Sequence, residues 1–227
     1  MGGKSANIIT KNANIDDAVS QASMALFFNA GQCCIAGSRT YVHSSLYNQF
    51  VEKAASAASK IKLGNSLESD TEQGPLVSQE QHQRVLGFIE AGKKEGAKVV
   101  TGGNRWGSKG WFVEPTVFAD VHDDMTIAQD EIFGPVQTIL KYDDIDDVLQ
   151  RANRSSYGLG AGLVSNDHKE ISYISRRLKA GTIYINCWNA FSPMAPFGGY
   201  KDSGIGRELG EEGLNNYLET KTYIDKI

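Results

Sequence analysis

Short β-branched or apolar runs alternate along this chain with stretches of helical periodicity, and that alternation limits the possible folds more than any other feature. The runs are Arg39 to Val42, Lys98 to Thr101, Val136 to Leu140, Gly160 to Val164 and Thr182 to Ile185. Between them apolar residues recur at the spacing of a helix face. Ile15, Ala18, Val19, Ala22 and Leu26 follow Asn14, a good N-cap, and the pattern stops at Gly31. A second helix is predicted from Ser45 to Lys60. A third opens at Ser78 and Gln81, a Ser-x-x-Gln capping box, carries Val85, Leu86 and Ile89, and ends before Gly96. Ile145, Val148, Leu149 and Ala152 mark a fourth; Ile171, Ile174 and Leu178 mark a fifth. Strands separated by such helices form βαβ units, so the fold class is α/β, an open parallel-rich sheet with helices on both faces. At 227 residues the chain buries roughly 70% of its unfolded surface and needs no disulfide or metal staple.

The two ends read differently. Asn7-Ile8-Ile9 is a strand that begins almost at the first residue, and Thr220 to Ile227 is a strand that ends the chain. An apolar strand at a free terminus presents an unpaired edge, which proteins normally cover with another element or subunit. Both ends therefore point to an oligomer or to a piece of something larger. The expected division is a main unit over residues 1–215 and a C-terminal oligomerisation strand over 216–227.

Several functions are excluded by chemistry. Lys and Arg number 23 against 27 Asp and Glu, so the basic footprint of a nucleic-acid binder is absent. No apolar stretch approaches the ~20 residues that span a bilayer, and Met1 to Ala6 contain no apolar signal core. Three cysteines do not make a secreted disulfide framework, so a cytoplasmic location with reduced thiols is expected, a mitochondrial one being open to a longer parent. Gly102 and Gly107 have phosphate-loop spacing, but Ser108-Lys109 stands where Lys-Ser or Lys-Thr is required. Gly158, Gly160 and Gly162 spell no dinucleotide fingerprint. His43, His82, His122 and His168 are scattered, so no metal site is expected; His82 and His168 read as solvated helix residues.

One constellation survives. Phe28-Asn29-Ala30-Gly31-Gln32-Cys33-Cys34 sets two thiols directly after a helix that stops at glycine. Two readings stand at this point. Both cysteines are small buried hydrophobes, or one thiol faces a cleft where backbone N–H groups freed by the turn receive a negative oxygen.

That segment resembles the active-site cysteine motif of the aldehyde dehydrogenases. Gly2-Gly3-Lys4-Ser5-Ala6-Asn7 is similar to their Gly-Gly-Lys segment, and Glu131-Ile132-Phe133-Gly134-Pro135 to their Glu-x-Phe-Gly-Pro motif. Pro196-Phe197-Gly198-Gly199 with Lys201, Ser203 and Gly204 resembles their C-terminal signature. Order and intervals match over essentially the whole chain, which corresponds to the family's catalytic half in its fatty and aromatic aldehyde branch.

The resemblance implies a chemistry and a set of roles. Cys34 adds to a small aldehyde as a thiolate, hydride passes to NAD or NADP, and water cleaves the thioester. A thiol suits both ends of that sequence, being a strong nucleophile and a good leaving group; a free thiol near pKa ~8.5 is only a few per cent ionised at neutral pH, so the site must favour the anion. Glu131 accepts from the nicotinamide ribose, Phe133 packs by the cofactor, and Gln81 and Arg84 lie near its ribose, Gln81 being equally a capping residue. Asn186, Trp188, Phe191 and Phe197 lie near the substrate, with Phe191 and Phe197 also readable as core. Cys33 and Cys187 are structural neighbours. The family's general-base glutamate, its nucleotide-binding domain and the asparagine of its oxyanion hole have no counterpart here, which implies a chain that does not turn over alone; one lost general base alone costs ~10²–10⁴-fold. Two other functions remain beside the dehydrogenase: a non-enzymatic assembly module that pairs its terminal strand with other subunits, and a slow cofactor-independent thiol esterase.

Overall fold

Paired apolar residues in successive strands divide between two faces, and that division organises the molecule. The computed structural model describes residues 2–227. Its elements run β1 (Ala6–Ile9), α1 (Ile15–Phe27), β2 (Arg39–His43), α2 (Ser44–Ser59), α3 (Gln79–Lys94), β3 (Lys98–Thr101), β4 (Thr116–Ala119) and α4 (Thr126–Gln129). They continue with β5 (Val136–Tyr142), α5 (Ile145–Asn153), β6 (Tyr157–Gly158), β7 (Gly160–Val164), α6 (His168–Ser175), β8 (Thr182–Ile185) and β9 (Tyr200–Lys201). Seven strands form one sheet in the order β3-β4-β5-β2-β1-β7-β8, while β6 and β9 form a small ribbon. The β3–β4 pair is antiparallel; the other pairings in the large sheet are parallel.

Successive side chains on a strand point to opposite faces. Ile9, Val42, Val117, Ile139 and Val164 accordingly pack with α1 and α2, through Ala18, Ala22, Leu26, Phe50 and Ala54. Their neighbours Ile8, Tyr41, Phe118, Leu140 and Leu163 pack on the other face with Val85, Ile89, Val148, Leu149 and Ile174 of α3, α5 and α6. Two buried faces explain why these strands read as continuous apolar runs. A third, smaller cluster joins Ala25, Ile35, Leu159, Tyr184 and Trp188 to the three cysteines and Phe197.

Side chains fix the helix starts. Asn14 Oδ1 accepts from the N–H groups of Asp16 and Asp17, Ser78 from Gln81, and Asp144 from Asp147, each satisfying donors that the first turn leaves unpaired. No helix among the described residues is long and apolar enough to cross a membrane.

Four sequence expectations change. Strand β1 is not an edge: it pairs with β2 on one side and β7 on the other, and all four of its residues are buried. Its partners come from 30 residues and more downstream, which local pattern does not reveal. Thr220 to Ile227 is irregular and exposed rather than a strand, pairing with neither of the sheet's edge strands, β3 and β8. β4 lies between β3 and β5, a strand absent from the runs named above. His82 is buried against Trp111, at 5.8 Å between ring centroids, not solvated.

Candidate active site

The parallel strands β5, β2, β1 and β7 are adjacent and begin at one edge of the sheet. The segments that enter them come together at that amino edge: Glu131 to Pro135 before β5, Cys33 and Cys34 before β2, Gly2 to Ser5 before β1, and Gly158 with Leu159 before β7. Ligands of open α/β sheets generally sit at the carboxyl ends of the strands, so this convergence at the opposite edge is particular to the fold.

Gly3 lies at the meeting point. Its N–H donates to Glu131 Oε1 at 3.1 Å. A Cβ at Gly3 would lie 2.1 Å from the carbonyl oxygen of Cys34, a distance no side chain tolerates. Gly31 makes the second close approach. Its φ is +70°, and a Cβ there would lie 2.1 Å from the carbonyl oxygen of Gly134. The cysteine turn and the Glu131 loop are thus joined twice, through Gly3 to the Glu131 carboxylate and backbone to backbone at Gly31.

Both turns carry strain. Asn29 and Ala30 adopt φ of 52° and 54° immediately before Gly31, and Phe133 adopts 58°. A non-glycine residue in this left-handed region costs about 1–2 kcal/mol, and such residues gather at functional sites. Asn29 offsets part of the cost, since its Nδ2 donates to the Gln32 carbonyl at 2.9 Å. Gln32 in turn accepts from the Val77 N–H through Oε1, which ties the turn to the segment leading into α3.

Gln81 and Arg84 both reach the loop that carries Glu131 and Phe133. Ser78 caps α3, but the Gln81 side chain does not complete the box. Its Nε2 donates to the carbonyls of Ile132 and Phe133 at 3.1 and 2.8 Å. Arg84 Nη2 donates to the Glu131 carbonyl at 3.0 Å. Both side chains therefore hold the backbone of the Glu131–Phe133 loop.

The electrostatics of the site centre on the two sulfurs, which are half-buried and free of disulfide. The Cys33 thiol is pulled down to about 6, first because the Cys34 S–H donates to its sulfur and then because the Ile35 N–H does so too; burial and the Glu131 charge oppose the shift. Cys34 is pushed up for the complementary reason, since it holds the shared proton, and burial adds to the effect. One proton thus leaves the pair easily and the second with difficulty, as in any two acids sharing a site. Glu131 is itself raised by burial, against the Gly3 N–H and the charges of Lys4 and Arg84. Lys4 is buried, its ammonium nitrogen has no hydrogen-bond partner, and burial lowers it to about 7.

The aromatic candidates divide. Phe197 packs with the thiol cluster and meets Phe191 edge-on at 6.3 Å; Phe191 is 62% exposed and so is not core. Trp188 is buried, donating through Nε1 to the Ile35 carbonyl at 3.2 Å and packing on Gly37 and Gly162, which makes it the floor under the cysteines. Asn186 stands apart from the others. Its amide accepts from the Ser165 N–H and donates to the Ser165 carbonyl, both at 2.9 Å, so both ends are committed to closing β7. Phe133 is 37% exposed. A recess of about 710 Å³ runs along α1 and α2 and ends at Phe28 and Asn29, the residues that open the cysteine turn. Phe28, half exposed there, is a lining residue that sequence reasoning passed over although it stands inside the motif. Lys4 and Tyr184 were missed as well, because only the tertiary fold buries them beside the site.

The residues present fit a nicotinamide dinucleotide. Glu131 Oε1 is fixed by Gly3, Oε2 lies against Gly2 beside the Tyr157 ring, and Phe133, two residues on, is exposed. Among the described residues, no three His, Cys, Asp or Glu side chains are placed to hold a metal ion.

The chain matches the description "Aldehyde dehydrogenase family" over residues 1–223. It is 52% identical over its whole length to the mitochondrial aldehyde dehydrogenase of Homo sapiens, covering 44% of that protein. It is 52% identical to the mitochondrial benzaldehyde dehydrogenase of Antirrhinum majus, covering 42% of it. Among solved structures, an NAD+ complex of aldehyde dehydrogenase from Bacillus cereus superposes with a TM-score of 0.94 at 51% identity, over 96% of this chain and 44% of that one. The chain therefore spans less than half the length of the relatives it matches.

Proposed function

The chain belongs to the aldehyde dehydrogenase family of oxidoreductases, and from that premise we propose that its amino-edge site carries the covalent chemistry of aldehyde oxidation, with the sulfur of Cys34 as nucleophile. The observation that supports this most directly is the meeting of the cysteine turn and the Glu131 loop around Gly3. The Cys34 sulfur is reduced and half-buried, and as the anion it is a strong nucleophile. Its addition to an aldehyde carbon forms the carbon–sulfur bond and moves the carbonyl electron pair onto oxygen.

NAD or NADP, when bound, supplies the acceptor for the hydride. Glu131 orients that group by accepting from its ribose, and Phe133 packs beside it. Gln81 and Arg84 hold the loop that presents both, so their contribution to cofactor binding is one of positioning. Phe191, Phe197 and Trp188 give the aldehyde an apolar wall, and Asn186 acts on it through the end of β7. The exposed Tyr223, Ile224 and Ile227 fit a strand that forms only between copies of the chain, which makes a homo-oligomer part of the proposal. Three free thiols fit a reducing compartment, cytoplasmic or mitochondrial.

Acylation by an activated ester such as p-nitrophenyl acetate tests the nucleophile without any dinucleotide. Sulfur attacks the ester carbonyl and expels p-nitrophenolate, leaving an acyl group whose position peptide mass mapping reports. One acyl group at Cys34, lost in Cys34→Ala and kept in Cys33→Ala, is expected. Acylation that persists in Cys34→Ala, or none at all in the parent chain, overturns the assignment; the second result would favour the assembly-only role.

A further inference from the structure

The hydroxyl of Ser203, in the turn that follows β9, reaches back to the segment that precedes β1. The residue is fully buried. Its Oγ donates to the Gly2 carbonyl at 2.7 Å and accepts from the Gly158 N–H at 3.0 Å. Chemistry fixes the direction of both bonds, because an amide N–H can only donate and a carbonyl can only accept. The carbonyl of Gly2 and the N–H of Gly3 belong to one planar peptide unit. That unit takes the serine hydroxyl at its oxygen, and at its nitrogen it donates to Glu131 Oε1 at 3.1 Å. Ser203, one peptide plane and the Glu131 carboxylate therefore form a continuous hydrogen-bonded chain. Neither glycine has a side chain to hold this peptide, and Gly2 has no room for one, since a Cβ there would lie 2.7 Å from Glu131 Oε2. The two bonds at its ends set its plane.

We propose that Ser203 is a positioning residue for Glu131, acting through the Gly2–Gly3 peptide. The inference deepens the reading of Glu131 as the partner of the cofactor ribose, and rests on that reading for its functional meaning. Two effects carry it. A carbonyl that accepts a hydrogen bond polarises its own amide, which makes the N–H at the other end a stronger donor. The same bond stops the peptide plane from turning its N–H away from Oε1. Ser203 is itself held firmly. The Gly158 N–H ties it to β6, which pairs with β9, and Lys201 of β9 donates through Nζ to the carbonyls of Asn153 and Ser155 at 2.8 and 2.7 Å. The ribbon is thereby anchored to the end of α5, and Ser203 extends that support to the site. Gln81 and Arg84 hold the backbone of the Glu131 loop; Ser203 acts on the carboxylate. No proton changes owner and no covalent bond changes.

The amide proton of Gly3 reports the coupling directly, by NMR titration of the isotope-labelled chain. In the parent its resonance is expected to move downfield as Glu131 ionises, and Glu131→Gln identifies that titration by abolishing it. In Ser203→Ala the amplitude is expected to shrink and the midpoint to rise by about half a pH unit, roughly threefold in proton affinity. The sign follows from the Gly3 N–H opposing the upward effect of burial on Glu131, so weakening that bond raises the carboxyl further. The amides of Ile132, Phe133 and Gly134 should keep their parent positions. An unchanged Gly3 titration in Ser203→Ala overturns the role, and so does a change spread equally over residues 132–134, the mark of general loosening. Should Ser203→Ala fail to fold, Ser203→Cys fills the same place with a weaker donor; it should move the midpoint the same way by less, and an unmoved midpoint overturns the proposal. NAD+ added in excess separates this inference from the reading beneath it. A shift of the Gly3 amide with NAD+ that Glu131→Gln abolishes supports Glu131 as the cofactor's partner. Its absence counts against that reading alone, because the coupling of Ser203 to Glu131 is measured without any dinucleotide.

Discussion

Replacing Lys4 with methionine removes a buried ammonium that has no hydrogen-bond partner. The side chain is 2% exposed, its nitrogen has no partner, and methionine matches it in length. The hydrogen bonds made through this residue use its backbone carbonyl, which takes two from the Arg39 guanidinium, so the substitution spares them. Burial, with the Arg39 charge adding to it, lowers the ammonium from 10.5 to about 7, while Asp130 and Glu131 recover part of the loss. A fall of that size, at 1.36 kcal/mol per unit, sets a ceiling of about 5 kcal/mol. The sign follows from proton counting. Between pH 7 and 10.5 the unfolded chain binds a proton that the folded chain does not, so stability rises with pH across that window; below pH 7 both states are charged and the penalty is complete. Lys4→Met should therefore exceed the parent by about 4 kcal/mol at pH 7 and by less than about 1 kcal/mol at pH 10. Urea denaturation at the two pH values reads the difference, which at a slope of ~3 kcal/mol per molar is a midpoint shift of about 1 M or more at pH 7. A variant less stable than the parent at pH 7, or a gap that does not close by pH 10, refutes the reasoning.

Gly31→Ala places a Cβ against the Gly134 carbonyl at a positive φ; it should lower stability by at least about 2 kcal/mol and depress alkylation of Cys34 with it, both measurable on one sample. Gln81→Ala frees the carbonyls of Ile132 and Phe133. Amide hydrogen exchange over residues 131–134 should then quicken by on the order of tenfold, the equivalent of about 1.4 kcal/mol of local stability, with global unfolding little changed. Deleting Thr220 to Ile227 removes only exposed, irregular chain. Its urea midpoint should match that of the parent, while the sedimentation profile shifts to a smaller species if this segment joins copies; an unchanged profile discards that role.

How much of this was legible beforehand depended on the range of the interaction concerned. Asn14, Ser78 and Asp144 announced their helices because a cap acts within three residues. The apolar pairs Ile8-Ile9, Ile139-Leu140 and Leu163-Val164 fill both sheet faces, and such doublets are visible as runs. The four motifs were recognisable because each is a contiguous segment. Gln81 is the instructive failure. Three residues after Ser78 its spacing spelled a capping box, yet a loop 51 residues downstream offered its amide two carbonyls, and the nonlocal bonds won.

The amino-acid sequence alone determined the alternating βα plan, the helix starts and the identity of the reactive segments, since each depends on periodicity, a cap or a contiguous motif. Tertiary structure decided the rest. It made β1 a central strand, gathered Gly3, Cys34, Glu131 and Gly31 at one sheet edge, and sealed Lys4 and Tyr184 away from water without partners. Those outcomes depend on which surfaces meet across 30 to 180 residues of chain, and burial and pKa are properties of that meeting, absent from any single segment.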